Sequence, residues 1–344
     1  MDNIAVFQEE NPTLENYWRS VVLFGNNVAS YKFALAKSLL ELIEQDKTHI
    51  TLEELSEPFS RHICEHIALS DKQATSRSSS FLETCRQYNR GEVSYETLIQ
   101  VTRTKGFNNV LDAFHNVNGA ALPVKFFEKT SIGSSSGIVL TDDVFRLGEI
   151  KFEKNLVHEA EARWNLVETA WSLGVSVNTL SIHYDDKSDL LYIEDNKIRR
   201  KNITSVRAAL NGYQKGKCFY CFDDINVTND ESNTCDVDHF IPHTLQQYTN
   251  ANLDGVWNLV LACPNCNRGA DGKFAKVPAL KYLERLSKRN DFLISSHHPL
   301  RETLMNQTGR TEAERHMFLQ SMYNLAKNTL IHTWETNEVQ QAIF

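Results

Sequence analysis

Four cysteines in two pairs bracket an Asp-His dipeptide in the second half of this 344-residue chain. The pairs are Cys218 with Cys221 and Cys263 with Cys266, each with two residues between its cysteines. Four thiolates are the ligand set of a closed, tetrahedral zinc site that has no open position for water. The spacing therefore predicts a structural zinc ion, and a disulfide or a redox-active pair is the alternative.

The segment between the cysteine pairs carries side chains suited to hydrolysis. Asp238 and His239 follow one another, Asn258 comes later, and Asn267 stands directly after the last cysteine. A carboxylate, an imidazole and amides are groups that suit a metal-assisted hydrolytic site. Each residue also has a structural alternative, because an aspartate can brace a turn and a histidine can lie hydrogen-bonded in a core.

Short elements are expected to position these side chains. Polar and apolar residues alternate from Asp236 up to Pro242, which predicts a strand that ends at the Asp-His dipeptide. The apolar run at 257–262 predicts a second strand, and a helix is expected from Cys266 onward. The prediction is a strand, a loop, a strand and a helix, held together by a zinc ion that lies outside the active site.

These strings occur in the order seen in the HNH nuclease family, also called ββα-metal nucleases, which segment 210–278 resembles. The resemblance rests on the cysteine pairs, on Asp-His-x-x-Pro at 238–242, on Asn-Leu-Val-Leu at 258–261 and on Cys-Asn-Arg-Gly at 266–269. The Asp-Val-Asp-His and Asn-Arg-Gly strings are particularly similar to the HNH module of RNA-guided CRISPR effectors. Only the module is similar, so no guide RNA is inferred.

The resemblance implies a role for each residue of the segment. His239 would be the general base that takes a proton from the attacking water, a task that suits a neutral imidazole. Asp238 and Asn267 would bind a catalytic divalent cation, magnesium or manganese, through oxygen atoms. Asn258 would hold the loop between the strands and orient His239. Because Asn267 replaces the family's last histidine, the pattern is a His-Asn-Asn variant.

Basic residues flank the cysteine-bracketed segment although the net charge of the chain is −8. Residues 196–217 hold seven Lys and Arg and no acid, and residues 268–289 hold seven more against two acids. Basic flanks around an acidic metal site favour phosphate binding, whereas solvated helix faces are the alternative. In the CRISPR-type module a lysine stands three residues after the metal-binding asparagine. That position is Ala270 in this chain, so Lys273 departs from the pattern of the module. The side chains predicted to contact nucleic acid are Arg199, Arg200, Arg268 and Lys273.

The whole chain has ordinary globular composition, with 41% apolar and 23% charged residues. It predicts an α+β fold, in which a zinc-stapled ββα-metal nuclease module is embedded in a mostly α-helical protein with a small β-hairpin. Four segments are expected. They are a helical N-terminal domain at 1–130, a linker loop, helix and hairpin at 131–209, the nuclease module at 210–278 and a helical region at 279–344.

Local patterns add five predictions about these segments. Thr51 and Glu54 have the spacing of a helix capping box. The small, polar residues 131–137 predict a mobile loop, and residues 180–194 predict the β-hairpin. Helices are expected at 203–213 and at 311–334.

No secretory leader or membrane-spanning stretch is found, so we expect a cytoplasmic protein. The expected function is an endonuclease that hydrolyses phosphodiester bonds in nucleic acid, DNA most of all. One such site cuts one strand, so a homodimer would allow double-strand cleavage. A regulatory protein partner and a role in bacterial antiviral defence are expectations by analogy. The alternative is a non-catalytic, zinc-stapled module that binds nucleic acid or a partner protein.

Overall fold

The structure is a computed structural model that describes residues 12–24, 29–75, 79–117, 119–132, 135–150, 153–173, 182–195, 199–228, 234–295, 298, 300–337, 340 and 342–344. The chain forms two compact units, Asn11–Val175 and Ser176–Phe344. Each unit mixes helices with small sheets. The four segments expected from the sequence do not follow this division, because segment 131–209 spans the boundary between the two units, and they stay a prediction.

The first unit packs its helices around an apolar core. Phe33, Leu39, Phe59, Ile63 and Trp164 are fully buried there. The helices are α1 (Leu14–Phe24), α2 (Tyr31–Ile43), α3 (Leu52–Leu69), α4 (Ser80–Asn89), α5 (Tyr95–Val101) with a π-helical turn at Thr102–Gly106, α6 (Val110–Ala113), α7 (Asp142–Gly148) and α8 (Lys154–Leu173).

Helix α3 begins at the predicted capping box. The Glu54 N–H donates to Thr51 Oγ1 at 3.2 Å, and the Thr51 N–H donates to a Glu54 carboxylate oxygen at 2.9 Å. Two backbone donors at the helix start are thereby satisfied within one turn. This prediction is confirmed, because both partners lie within four residues and need no tertiary contact to meet.

The strands of the first unit correct the prediction of a mobile loop at 131–137. Residues 133 and 134 lie outside the described part of the chain. The residues on either side of them belong to two paired strands, in which Thr130 pairs with Gly137 and Ser131 with Ser136. Small polar residues pack poorly, yet their backbone groups can pair within a sheet. The strands are β1 (His49–Thr51), β2 (Asn116–Val117), β3 (Ala120–Ala121), β4 (Phe127–Ile132) and β5 (Ser135–Leu140), and one sheet has the order β1-β5-β4.

The second unit contains the cysteine-bracketed segment and three small sheets among its described residues. None of the described helices of the chain is long and apolar enough to cross a membrane. The elements are β6 (His183–Asp185), β7 (Leu190–Asp195), β8 (Arg199–Ser205), α9 (Val206–Gln214), β9 (Asp236–His239), β10 (Leu259–Ala262), α10 (Pro264–Arg268), β11 (Val277–Pro278), α11 (Leu280–Ser295), α12 (Arg301–Thr308), α13 (Glu312–Thr329) and β12 (Thr333–Trp334).

Two strands in this unit take up residues that were predicted to be helical. The hairpin of β6 and β7 is present, but β8 adds a third strand, so the helix expected from Ile203 begins at Val206. The helix expected to run to Trp334 ends at Thr329, because β12 pairs in parallel with β11. The partner of β8 is the neighbouring strand β7, whereas the partner of β12 is distant in sequence. In both places strand pairing overrides a local helical pattern.

Helix α11 supports the chain that leads into β10. The fully buried side chain of Arg289 donates to the carbonyl oxygens of Leu259 at 2.9 Å and Trp257 at 3.1 Å. Burial lowers the Arg289 pKa to about 10, so the guanidinium stays charged near neutral pH. These bonds satisfy buried carbonyl groups and fix the start of β10.

Candidate metal centre and active site

The four predicted zinc ligands come together in the structure. The sulfur atoms of Cys218, Cys221, Cys263 and Cys266 all lie within 4.8 Å of one another, and all four residues are buried. The Cys221 and Cys263 sulfur atoms are 3.7 Å apart, close to the roughly 3.8 Å edge of a tetrahedron with zinc–sulfur bonds of about 2.3 Å. All four are free thiols rather than disulfides. The cluster therefore has the geometry of a structural metal site that could hold zinc.

Backbone conformation shapes both cysteine pairs for this role. In the first pair, Phe222 has a left-handed backbone with φ 64°, and the Cys218 N–H donates to the Asp223 carbonyl at 2.8 Å. In the second pair, Cys263 caps helix α10, and its N–H lies 3.3 Å from the Cys218 sulfur. Burial raises the pKa of Cys218, whereas a hydrogen bond from Cys218 lowers the pKa of Cys263. Metal binding requires deprotonated thiols and would favour the thiolate form of each ligand.

Strands β9 and β10 form an antiparallel pair beside the cluster. His239 at the end of β9 lies opposite Leu259 at the start of β10, and α10 follows β10 after a single residue. The first cysteine pair is tied to this sheet by the Phe219 N–H, which donates to the Leu261 carbonyl at 2.9 Å. The order of strand, loop, strand and helix matches the one expected from the sequence. Two bounds differ, because β10 begins at Leu259 after a 3₁₀ turn and α10 spans Pro264–Arg268 instead of starting at Cys266.

His239 lies at the edge of this strand pair with one side chain surface turned to solvent. Its Nε2 atom is 2.9 Å from a carboxylate oxygen of Asp254, and 20% of its side chain is exposed. Burial lowers the pKa of His239 below its ordinary value, although the Asp254 charge opposes that shift. The lowered pKa favours the neutral ring, which is able to accept a proton.

Asn258 is fully buried and joins three points of the loop between the strands. Its Oδ1 accepts from the Ile241 N–H at 2.8 Å, and its Nδ2 donates to the carbonyls of Ile241 and Leu253, both at 2.9 Å. The Phe240 N–H also donates to the Asn258 carbonyl at 2.7 Å. These contacts allow Asn258 to stabilise the loop between the strands. Its predicted influence on the orientation of His239 stays a prediction.

Asp238 points into the interior of the unit. One carboxylate oxygen accepts from the Tyr220 hydroxyl at 2.5 Å, and the other accepts from the Lys273 ammonium at 3.0 Å. Burial, followed by the Asp238 charge, raises the pKa of Tyr220 well above its ordinary value, so its hydroxyl remains a donor. The Lys273 side chain is completely buried. Asp238 is thus a buried carboxylate that is charge-balanced by a lysine within the same unit.

Asn267 is hydrogen-bonded to Asp236, whereas the aspartate predicted to share its cation is Asp238. Its Nδ2 donates to Asp236 Oδ2 at 3.2 Å, and the exposed Arg268 donates to the same oxygen at 2.8 Å. Among the described residues, the cysteine cluster is the one group of three or more His, Cys, Asp or Glu side chains close enough to share a metal ion. A second cation at Asp238 and Asn267 would therefore have few protein ligands and would keep several waters, as magnesium often does.

The basic residues predicted to contact nucleic acid have different surroundings. Arg268 is 65% exposed. Lys273 is buried and also donates to the His239 carbonyl at 2.8 Å, which argues against the predicted phosphate contact, because every polar hydrogen faces an internal acceptor. The side chains of Arg199 and Arg200 lie outside the described part of the structure.

Sequence reasoning missed two residues near His239 and assigned a third to another role. Asp254 stands 15 positions beyond His239 in a polar loop, and Tyr220 lies inside the first cysteine pair. The third is Lys273, which was predicted to contact nucleic acid at the surface. No local pattern identifies these contacts, because each joins residues from separate elements.

Comparisons with known proteins add no assignment. No family model, curated protein or solved structure shows a significant match to this chain.

Proposed function

We propose that this protein is a metal-dependent endonuclease of the HNH type that hydrolyses phosphodiester bonds in nucleic acid, DNA most of all. The observation that carries the proposal is the position of His239. It ends β9 beside the loop held by Asn258, within a segment bracketed by four buried cysteines. This combination gives a neutral, partly exposed imidazole on a small, cross-linked support, as a general base requires.

In the proposed reaction His239 takes a proton from the water molecule that attacks phosphorus. Burial, which keeps its pKa below the ordinary value, maintains the proton-accepting form at neutral pH. The exposed part of the ring leaves a path for water and substrate. The structural zinc ion has no part in this step, because four thiolates leave no open position for water.

Asp238 and Asn267 are the proposed ligands of a catalytic magnesium or manganese ion. Carboxylate and amide oxygens suit these hard cations. A carboxylate has about four lone-pair positions, and the bonds from Tyr220 and Lys273 leave lone pairs of Asp238 for a cation. Tyr220 and Lys273 would then orient Asp238 in the way that outer partners orient a metal ligand. The bound cation would offset negative charge that develops on the phosphate.

A second candidate function is favoured by the buried pair of Asp238 and Lys273. Because this lysine already balances the carboxylate charge, the module would be stable without a second cation. A zinc-stapled module that binds nucleic acid or a partner protein without cutting would need nothing more. A homodimer, a regulatory protein partner and a role in antiviral defence are further proposals. They are compatible with either candidate function.

A plasmid-nicking assay separates the two functions. Zinc-loaded protein is mixed with supercoiled DNA and either Mg²⁺ or Mn²⁺. We expect nicked circles from the wild type and a rate at least about 100-fold lower from His239→Ala. His316→Ala, which alters an exposed histidine on α13, is the matched control and should cut at the wild-type rate. A wild type that retards DNA in a gel but cuts with neither cation would favour the binding module.

A further inference from the structure

The contact between His239 and Asp254 assigns a hydrogen position on the imidazole. The two atoms, His239 Nε2 and Asp254 Oδ1, are 2.9 Å apart, a normal hydrogen-bond length. An ionised carboxylate can only accept, so Nε2 must carry the hydrogen. The neutral ring then has its lone pair on Nδ1, for which no hydrogen bond is seen within the described part of the chain.

The loop around Asp254 is held by internal hydrogen bonds rather than left free. The Asp254 N–H donates to Asn252 Oδ1 at 3.0 Å, and the Leu253 N–H donates to the Gln246 side chain at 2.8 Å. The Leu253 carbonyl accepts from the buried Asn258. A Cβ at Gly255 would lie 2.9 Å from the Asn252 carbonyl oxygen, so the tight turn after Asp254 depends on glycine. The carboxylate is therefore presented from a fixed backbone.

The other charged groups near His239 do not compete with its contact to Asp254. The neighbouring carboxylate, Asp238, accepts from Tyr220 and Lys273 instead. His243 also approaches Asp254 Oδ1, at 3.4 Å, but its side chain is 52% exposed and its contact is longer. The shorter and more buried contact belongs to His239.

We propose that Asp254 is a positioning residue for His239, which it holds as the Nε2–H tautomer so that Nδ1 accepts the proton. This inference rests on the proposed nuclease function. As the water oxygen bonds to phosphorus, its proton passes to Nδ1, and the bond from phosphorus to the leaving oxygen breaks. The leaving oxygen takes a proton from solvent. A carboxylate behind a histidine base maintains orientation and tautomer in this way in hydrolases of unrelated fold.

The first test reads the tautomer directly and needs no activity. Long-range ¹H–¹⁵N correlation spectra of zinc-loaded, ¹⁵N-histidine-labelled protein distinguish Nε2–H from Nδ1–H rings, and the His239 signals are identified by their loss in His239→Gln. We expect Nε2–H in the wild type and in Asp224→Asn, which alters a surface ion pair with Lys217. Asp254→Asn should shift His239 toward Nδ1–H, because an amide can donate to Nε2. An Nδ1–H ring in the wild type would overturn the inference whether or not the protein cuts DNA.

The second test measures catalysis on the full chain. Asp254→Asn should lower kcat by about 100-fold or more with little change in KM, and Asp254→Glu should recover part of that loss. Asp224→Asn should match the wild type. An Asp254→Asn protein with wild-type kcat would refute the positioning role. So would a loss of Mn²⁺ affinity in that variant, because Asp254 would then be a metal ligand. A wild type without any cleavage but with the expected tautomer would count against the nuclease proposal alone.

Discussion

His66 in the first unit is a buried histidine and His239 in the second is a half-buried one. Carboxylates hold both rings, yet only His239 keeps a ring nitrogen without a hydrogen-bond partner among the described residues. His66 has Glu168 2.9 Å from Nδ1 and Glu161 3.2 Å from Nε2. Its ring stacks on Trp164 with centroids 3.5 Å apart. His239 has Asp254 on Nε2 alone and keeps a fifth of its surface exposed.

The difference separates a structural histidine from a chemical one. Burial alone would lower the pKa of His66, but hydrogen bonds and charge from Glu161 and Glu168 raise it above the ordinary value. Glu168 also accepts from Gln73 at 2.7 Å, which closes a buried polar network. Such a ring has no nitrogen to offer a substrate. A carboxylate on one nitrogen orients a histidine, whereas carboxylates on both nitrogens remove it from chemistry.

The largest effect should come from the metal centre, which only the second unit contains among the described residues. Cys218→Ser should lose the zinc ion and unfold the second unit, since structural zinc in small modules contributes on the order of 10 kcal/mol. The first unit should keep its protection in hydrogen exchange. Metal analysis should find about one zinc per chain in the wild type.

Cys235→Ser is the control for that substitution. Cys235 is fully buried in the same unit but stands outside the cluster, so this variant should keep its zinc. Retention of zinc in Cys218→Ser would contradict the four-thiolate assignment.

A smaller but still large effect is expected from His66→Ala in the first unit. The substitution leaves Glu161 and Glu168 without their shared partner in a buried network, which should destabilise the first unit by about 3–5 kcal/mol. DNA cleavage per folded molecule should stay within about twofold of the wild type. The measurements are hydrogen exchange on α3 and α8 and the nicking assay on the soluble fraction.

His239→Ala is the reciprocal control for His66→Ala. It should leave exchange in the first unit unchanged and remove cleavage. If His66→Ala abolished cleavage with α3 and α8 still protected, the distinction between the two histidines would fail.

Sequence reasoning succeeded where the deciding contacts are local or repeated. The two cysteine pairs predicted a shared metal site because each pair is short and four thiolates satisfy one ion. The capping box at Thr51 and the strand that ends at His239 also depend on neighbouring residues. These features follow from spacing, and the structure brings the predicted groups together.

The remaining features depend on partners that lie far apart in the chain. Lys273 and Asp238 are separated by 35 positions, so a charge pattern could not show that the lysine faces inward. Asp254 reaches His239 through a turn whose shape depends on Asn252 and Asn258. The hairpin at 131–137 was missed because its strands pair through backbone groups, on which side-chain polarity gives little information.

The smallest expected effect concerns a third histidine, His115, and its dependence on pH. Its Nε2 accepts from the Phe126 N–H at 2.9 Å, and burial, followed by the charges of Lys125 and Lys32, lowers its pKa to about 4. The folded form therefore binds fewer protons than the unfolded form between pH 6.5 and 4. The stabilisation is complete above pH 6.5 and is lost as pH falls through that window. After allowance for partial exposure, the loss should be about 2 kcal/mol.

His66 should not produce this acid loss, because its raised pKa gives stabilisation that is present at low pH and lost as pH rises. His115→Gln isolates the effect, since the glutamine carbonyl can accept from Phe126 and does not titrate. Hydrogen exchange at β4, corrected for intrinsic rates, should weaken between pH 6.5 and 4.5 in the wild type more than in His115→Gln. Equal weakening in both proteins would mean that the acid sensitivity of the first unit comes from its carboxylates and that His115 does not contribute to it.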